Sequence, residues 1–271
     1  MPAGTGVNQA PAEAERRVAL VMASSRGLGA ASAESLAVSG HDLVLVSRDE
    51  QTLAATADRI RQHGGRVVTV VSDVSDESSS AAVMARAQEE FGHVDVLVAN
   101  AGGPPPGAFS DCSDDLWVTA FELTLMSAVR AIRATLPAMI ARGFGRIVVI
   151  GSSSVVAPIP NLTLSNAFRP ALAGLVTSLA FEVAQAGVTV NLVAPGRFDT
   201  DRVHELDQGR ATKAGKDYTA FRSMAEAAIP ARRYGVPKEV GGLVAFLASD
   251  AAAYLTGQSL LIDGGLVPRL P

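Results

Sequence analysis

The sequence predicts a doubly wound α/β domain around a parallel sheet, and three features of the chain say so. Short β-branched apolar runs recur from Arg17 onward, Ala-rich amphipathic segments separate them, and a turn with two glycines follows the first run. Nearly continuous apolar runs are how strands buried on both faces of a parallel sheet read. They fall at 18–22, 42–46, 66–71, 94–99, 146–150, 189–193 and 259–262. Helical stretches lie between them at 29–38, 50–63, 79–90, 116–140, 171–184 and 240–248. Strand–helix alternation of this kind implies right-handed crossovers and helices on both faces of a Rossmann-type sheet of about seven strands. Neither an internal repeat nor a linker divides the chain, so residues 16–271 read as one domain. Residues 1–15, rich in Pro, Ala and Gly, read as a flexible tail.

Bulk composition narrows the function classes. With 48% hydrophobic and 18% charged residues, the chain can bury a large core. A net charge of −4 with scattered cations offers no nucleic-acid footprint. The single cysteine, Cys112, rules out an internal disulfide framework and fits a reducing compartment. No uninterrupted apolar run reaches the roughly 18 residues of a membrane span. The amino-terminal residues lack the pattern of a signal peptide. The expectation is a cytoplasmic protein with a small-molecule substrate and no nucleic-acid or membrane partner.

In a doubly wound sheet, ligands bind beyond the carboxyl ends of the strands, where strand order reverses. The residues just past each strand are therefore the candidates. After the first comes Ala23-Ser24-Ser25-Arg26-Gly27-Leu28-Gly29, then a helix. Ala23, Ser25, Arg26, Gly27, Leu28 and Gly29 can bring backbone N–H groups to a pyrophosphate at a helix N-terminus. An ordinary glycine turn reads the same way in isolation. After the second strand stand Ser47 and Arg48, where an NAD site usually has an acid. Arg26 and Arg48 suit a 2′-phosphate, although solvated surface arginines are the plainer reading. Asp73 and Val74 end the third strand, facing an adenine. Asn100, Ala101 and Gly102 follow the fourth, and Pro195, Gly196 and Thr200 follow the sixth. Each alone is mere punctuation; the set points to a dinucleotide, with NADP(H) favoured over NAD(H).

These motifs resemble those of the classical short-chain dehydrogenase/reductases, nearest the β-ketoacyl-carrier-protein-reductase-like branch, from Val18 to Gly265. The turn matches that family's Thr-Gly-xxx-Gly-x-Gly, with Met22 and Ala23 replacing the first Thr-Gly. Ala99 to Gly102 matches its Asn-Asn-Ala-Gly, and Pro195 to Thr200 its Pro-Gly-xxx-Thr. The closing run Phe246 to Asp250, through Thr256-Gly257 to Asp263-Gly264-Gly265, matches its C-terminal signature.

The resemblance implies a catalytic tetrad of Asn, Ser, Tyr and Lys. Ser152 stands at the serine position. The tyrosine and lysine frame, confirmed by Ala171 to Leu175 after it, falls on Ser165 and Arg169, and the asparagine position on Thr124. Serine hydroxyls are far weaker acids than a phenol of reference pKa about 10, and arginine does not shuttle protons. Losing a positioned general acid costs about 10²–10⁴ in rate. Arg169 retains a possible role toward ribose hydroxyls or a substrate oxygen. Pro170 breaks helical expectation, so the helix is expected to begin near Arg169 or to kink there.

The segment 200–228 corresponds to the family's substrate lid and carries His204, one helical turn beyond Thr200, as a substitute acid. A polar surface histidine is the plainer reading. His41, His63 and His93 fall at helix–strand junctions and are expected at the surface, without metal spacing. The proline loop 103–107 reads as a pocket wall or a stiff connection, with Phe109 and Trp117 close by.

Three functions remain open: an NADP(H)-dependent oxidoreductase of altered proton delivery, acting on a small carbonyl, enone or related substrate; a non-redox lyase, isomerase or cyclase; and a non-catalytic binding protein. The resemblance further implies a homodimer or homotetramer through the long apolar helices.

Overall fold

The computed structural model describes residues 16–268; the tail assigned to 1–15 lies outside them. Seven strands form one parallel sheet: β1 (Val18–Val21), β2 (Asp42–Ser47), β3 (Val67–Val71), β4 (Val96–Ala99), β5 (Gly145–Ile150), β6 (Val188–Pro195) and β7 (Ser259–Ile262). Their order is β3-β2-β1-β4-β5-β6-β7, so strand order reverses between β1 and β4. Val21 pairs with Leu45 on one side and Val98 on the other, which levels the strand ends at that switch.

The helices are α1 (Gly27–Val38), α2 (Glu50–Arg61), α3 (Ser79–Phe91), α4 (Asp114–Phe121), α5 (Ser127–Arg142), α6 (Thr163–Val183), α7 (Asp201–Lys213), α8 (Tyr218–Ala227) and α9 (Pro237–Ala248). Alternate residues of the central strands feed two cores. Leu20, Leu97, Ile147 and Leu192 pack with Ile132 of α5 and Val176 of α6. Val21, Val98 and Val148 pack with Leu36 of α1 and Val244 of α9 on the other face. Two-sided burial explains why these strands carry no polar alternation.

Four expectations need correction. The stretch read as one helix over 116–140 is two, α4 and α5, separated by a π-helical turn at Glu122–Met126. An inserted π turn leaves hydrophobic periodicity almost unchanged, so the pattern hides it. The helix, expected either to start near Arg169 or to kink there, does not start there: it begins at Thr163 and runs through Pro170. Asn166 clamps its first turn, giving Nδ2 to the Ile159 carbonyl and accepting the Ile159 N–H. Those tertiary bonds sustain a turn that propensity disfavours. His41 and His93 are buried, 6% and 9% exposed, not at the surface. Both are polar groups with local partners: His41 Nδ1 lies 3.1 Å from the Leu36 carbonyl, and His93 Nε2 lies 3.0 Å from Asp95.

The fourth concerns apolar length. The helical stretches Asp114–Arg142 and Thr163–Ala186 reach a mean hydropathy of 1.3 over 18 residues, enough by length and composition to cross a bilayer. Sequence reading found no such run because Arg130, Arg133 and Arg169 interrupt it. Each helix turns one face onto the sheet, through Ala128, Ala131, Ile132 and Met139 in α5 and Leu172, Val176 and Val183 in α6. Packing against the core accounts for that part of the hydropathy, with 39% and 33% of the two windows buried.

Candidate active site

The turn between β1 and α1 is tied down from three directions. Met22 N donates to the Val98 carbonyl and Ser24 N to the Val46 carbonyl. Ser47 Oγ donates to Ser25 Oγ at 2.8 Å, and Thr56 Oγ1 to the Ser25 carbonyl at 2.9 Å. Asn100 Nδ2 bridges the Met22 and Ala23 carbonyls at 3.4 Å each, joining the end of β4 to this turn. Ala23 and Gly27 both take positive φ, +48° and +54°. A Cβ on Gly29 would run into the Ala23 carbonyl oxygen, so only glycine fits.

No side chain caps α1, and its first turn holds no acid. By contrast, Asp49 caps α2 and Thr200 caps α7. The first N–H groups of Gly27, Leu28 and Gly29 thus have no side-chain acceptor, at the positive end of the helix. Thr200 brings its methyl beside Gly27, where a Cβ would sit 3.5 Å away, closing the ring from β6 back to β1.

Arg26 and Arg48 flank this end, both well exposed, each paired loosely with an acid: Arg26 with Asp49 at 3.5 Å, Arg48 with Asp73 at 3.3 Å. Asp73 also accepts from Ser75 N and Ser75 Oγ. Burial opposes its ionisation, but those bonds and the Arg48 charge outweigh it and hold the carboxyl below its usual range. Val74 beside it is buried. Ala101 is half-buried and Gly102 exposed, with open space where a Cβ would stand. Gly196 differs in kind: a Cβ there would strike Asp263, so its glycine serves packing against the end of β7, next to Pro195.

The second half of the site gathers around α6. Ser152 caps the short 3₁₀ turn Ser153–Val155, its Oγ accepting from Ser154 N at 3.1 Å. Ser165 and Arg169 sit one turn apart on α6, both buried. The π turn and the Ser153–Val155 turn both pack on α6. Thr124 in the π turn is 2% exposed with its hydroxyl unpartnered, as is the hydroxyl of Ser154. Arg169 Nη1 donates to the Ile150 carbonyl at 2.7 Å, while its buried Nε has no acceptor. Its one hydrogen bond among the described residues is to that neutral carbonyl, and burial pulls its pKa down to about 10.

The segment expected to form a lid folds into α7 and α8. Arg202 Nη2 donates to the Pro104 carbonyl at 2.7 Å, and Arg210 Nη2 to the Pro160 carbonyl at 3.4 Å. The proline loop is itself strapped to the start of α6, Gly107 N to Asn161 O and Thr163 N to Gly107 O. The loop is therefore joined to both α6 and α7. Phe109, Trp117, Phe168 and Phe121 form a row of edge contacts beside it, 5.7–6.4 Å between centroids.

His204 lies 2.5 Å from Asp199 Oδ1, which also accepts from Arg222 Nη1 at 2.8 Å. Arg222 and then His204 hold the Asp199 carboxyl below its ordinary pKa. The histidine thus belongs to a network that fastens α7 to α8. Sequence reading missed a second fastening: the fully buried Asp207 takes Arg197 Nη1 at 2.6 Å and the Tyr234 hydroxyl at 2.5 Å. Burial and that carboxylate push the Tyr234 phenol up to about 12, which removes it as a proton donor. No local motif marks this pair, whose members lie far apart in sequence.

Residues 22–267 match the family model described as enoyl-(acyl carrier protein) reductase. The 3-oxoacyl-(acyl-carrier-protein) reductase FabG of Escherichia coli (strain K12) is 37% identical over 254 residues, covering 93% of this chain and 98% of that protein. L-sorbose reductase from Gluconobacter frateurii, solved with NADPH and L-sorbose, superposes with a TM-score of 0.89 at 31% identity, over 94% of this chain and 98% of the other. An actinorhodin polyketide ketoreductase solved with NADPH gives a TM-score of 0.89 at 32% identity, over 93% and 97% of the two chains.

Proposed function

The chain belongs to the classical short-chain dehydrogenase/reductase family, and we propose from that membership that it is an NADP(H)-dependent oxidoreductase with an altered proton-delivery group. The observation that carries the cofactor is the uncapped start of α1 flanked by Arg26 and Arg48. Gly27, Leu28 and Gly29 N–H groups hold the pyrophosphate, and the two arginines take the 2′-phosphate in exchange for Asp49 and Asp73. Asp73 and Val74 face the adenine, and Asn100, Ala101, Gly102 and Thr200 border the remainder. When bound, NADPH supplies hydride. The L-sorbose reductase and the actinorhodin ketoreductase, both solved with NADPH, support that preference.

The substrate is a small carbonyl, enone or related compound, in keeping with the 3-oxoacyl reductase of E. coli. In the family, a tyrosine gives a proton to the carbonyl oxygen and a lysine tunes it; Ser165 and Arg169 stand at those positions here. Ser165 contributes a hydroxyl of low acidity. Arg169 contributes a fixed positive charge at the end of β5. Ser152 lends its oxygen to its own turn, and Thr124 keeps a free hydroxyl. His204 is engaged with Asp199 and Arg222 in the network that fastens α7 to α8.

Titration with NADPH and NADH by nicotinamide fluorescence tests this reading: micromolar binding with NADPH preferred supports it, and no binding of either refutes it. The unmatched charge of Arg169 also favours a second reading, a lyase, isomerase or cyclase that keeps the pocket without redox. Turnover without change in nicotinamide absorbance would select it. Val118, Ile140 and Phe181 leave α4, α5 and α6 with exposed apolar side chains, and we assign them to contacts within a homodimer or homotetramer.

A further inference from the structure

Buried polar atoms without partners are rare, and they concentrate where a ligand completes them. Four occur on elements that pack together at the carboxyl rim: Glu122 Oε2 and Thr124 Oγ1 in the π turn, Ser154 Oγ in the 3₁₀ turn and Arg169 Nε in α6; Arg130 meets Glu122 at 2.7 Å, which leaves three unpartnered. Arg169 is 7% exposed, and its one bond is to a neutral carbonyl. A guanidinium taken out of water without an anion is costly, and the cost is recovered when negative charge arrives. All three groups can donate, so the missing partner is rich in acceptors and negatively charged.

We propose that Thr124, Ser154 and Arg169 form an oxyanion receptor that selects α,β-unsaturated carbonyl substrates over simple ketones. This rests on the reductase reading above and names the substrate class within it. In a saturated ketone, hydride addition leaves a localised alkoxide, a strong base that needs a proton at once. Serine and threonine hydroxyls supply none readily, and arginine keeps its proton. In an enone, the β-carbon accepts the hydride and the C=C electron pair moves to join the α- and carbonyl carbons. The carbonyl π pair passes to oxygen. The resulting enolate is delocalised and less basic, so fixed charge suffices to hold it. A proton from water later adds to the α-carbon, and the C=O bond reforms. The substrate gains one hydride and one proton, and the nicotinamide loses the hydride.

The receptor is tested without cofactor, using 4-nitrophenol as an enolate mimic followed by its absorbance across pH. The expected result is phenolate bound at least about tenfold more tightly than the neutral phenol, the size of one charge-assisted hydrogen bond. Arg169→Gln abolishes the preference, Arg169→Lys restores part of it, and Thr124→Val with Ser154→Ala halves or further reduces it in a protein whose melting temperature is checked. Equal binding of phenol and phenolate overturns the proposal. With NADPH, a matched enone and saturated ketone are then compared. An enone preference of about 10² or more in kcat/KM supports the proposal, with deuterium from 4-deuterated NADPH found on the β-carbon. Equal reduction of the ketone overturns it while leaving the reductase reading intact. Phenolate binding with no oxidation of NADPH by any acceptor leaves the receptor standing and removes the reductase reading.

Discussion

Arg169 reaches from α6 to the end of β5, where its Nη1 meets the Ile150 carbonyl oxygen at 2.7 Å. That bond fixes a cation at the tip of a central strand, beside the position where strand order lets a ligand enter. It also explains how α6 tolerates Pro170: the turn before the proline is held by Arg169 on one side and by Asn166 with Ile159 on the other. A site that would be read as degraded from its missing tyrosine is, in the folded protein, tightly built.

The cofactor preference depends most on Arg48, which is exposed and held only by Asp73. Arg48→Ala is expected to weaken NADPH about tenfold while NADH changes little, because a charge-assisted contact to phosphate nets about 1.5–3 kcal/mol and part is spent on releasing Asp73. The same loss should appear in the wild type as salt is raised. Parallel fluorescence titrations with both cofactors check it.

Ala23 occupies a left-handed conformation that glycine adopts without strain. Relief of that strain is worth roughly 1–2 kcal/mol, against about 0.5–1 kcal/mol of added chain entropy. Ala23→Gly should therefore stabilise by up to about 1 kcal/mol, a rise of about 2–4 °C in Tm. Gly29→Ala should do the opposite and cost cofactor binding too, since its methyl collides with the Ala23 carbonyl. Thermal melts of the two variants decide the matter.

Much of this was legible beforehand. The β7 bounds agree with the apolar run at 259–262, and every other strand agrees within two residues, because two-sided burial writes itself into a β-branched pattern. Gly29 and Thr200 stood out by motif and are now explained by contact. What stayed hidden was set by tertiary partners: the π turn around Thr124, the early start of α6, and the burial of His41. The Asp207 and Tyr234 pair is of the same kind, since 27 residues separate two side chains that meet only once the lid folds.

His41 makes stability depend on acidity. Burial lowers its pKa below the ordinary 6.5, so the folded state holds it neutral. The unfolded chain takes up a proton near pH 6.5 and the folded chain only at lower pH, so stability is complete above about 6.5 and falls as pH drops below it. His41→Asn keeps a donor toward Leu36 and removes the titration. Urea melts at pH 7.5 and 5.0 should show a smaller acid loss in the variant than in the wild type.

Asp207 anchors α7 to Arg197 and Tyr234. Removing it in Asp207→Ala strands Arg197 and the Tyr234 hydroxyl, and breaking a buried pair costs about 3–5 kcal/mol. Arg197 is about a quarter exposed and partly rehydrates, so the lower figure, about 3 kcal/mol, is expected. Loss should fall first on the lid, seen as faster hydrogen exchange across α7 and α8 with β1 to β6 unchanged.

The last prediction runs the substitution backward. Since α6 starts at Thr163 and carries Ser165 and Arg169 on one face, the two positions keep the one-turn spacing that a tyrosine and lysine need. Ser165→Tyr with Arg169→Lys should therefore restore a proton donor and its tuning cation together. Reduction of a saturated 3-oxo ester with NADPH should rise by about 10²–10⁴, the worth of a positioned general acid. Neither single change should achieve it: the tyrosine alone lies beside a guanidinium already bound to Ile150, and the lysine alone has no phenol to tune. A double variant that binds NADPH and remains inert toward ketones would mean that the first turns of α6, not the two side chains, have left the reductase geometry.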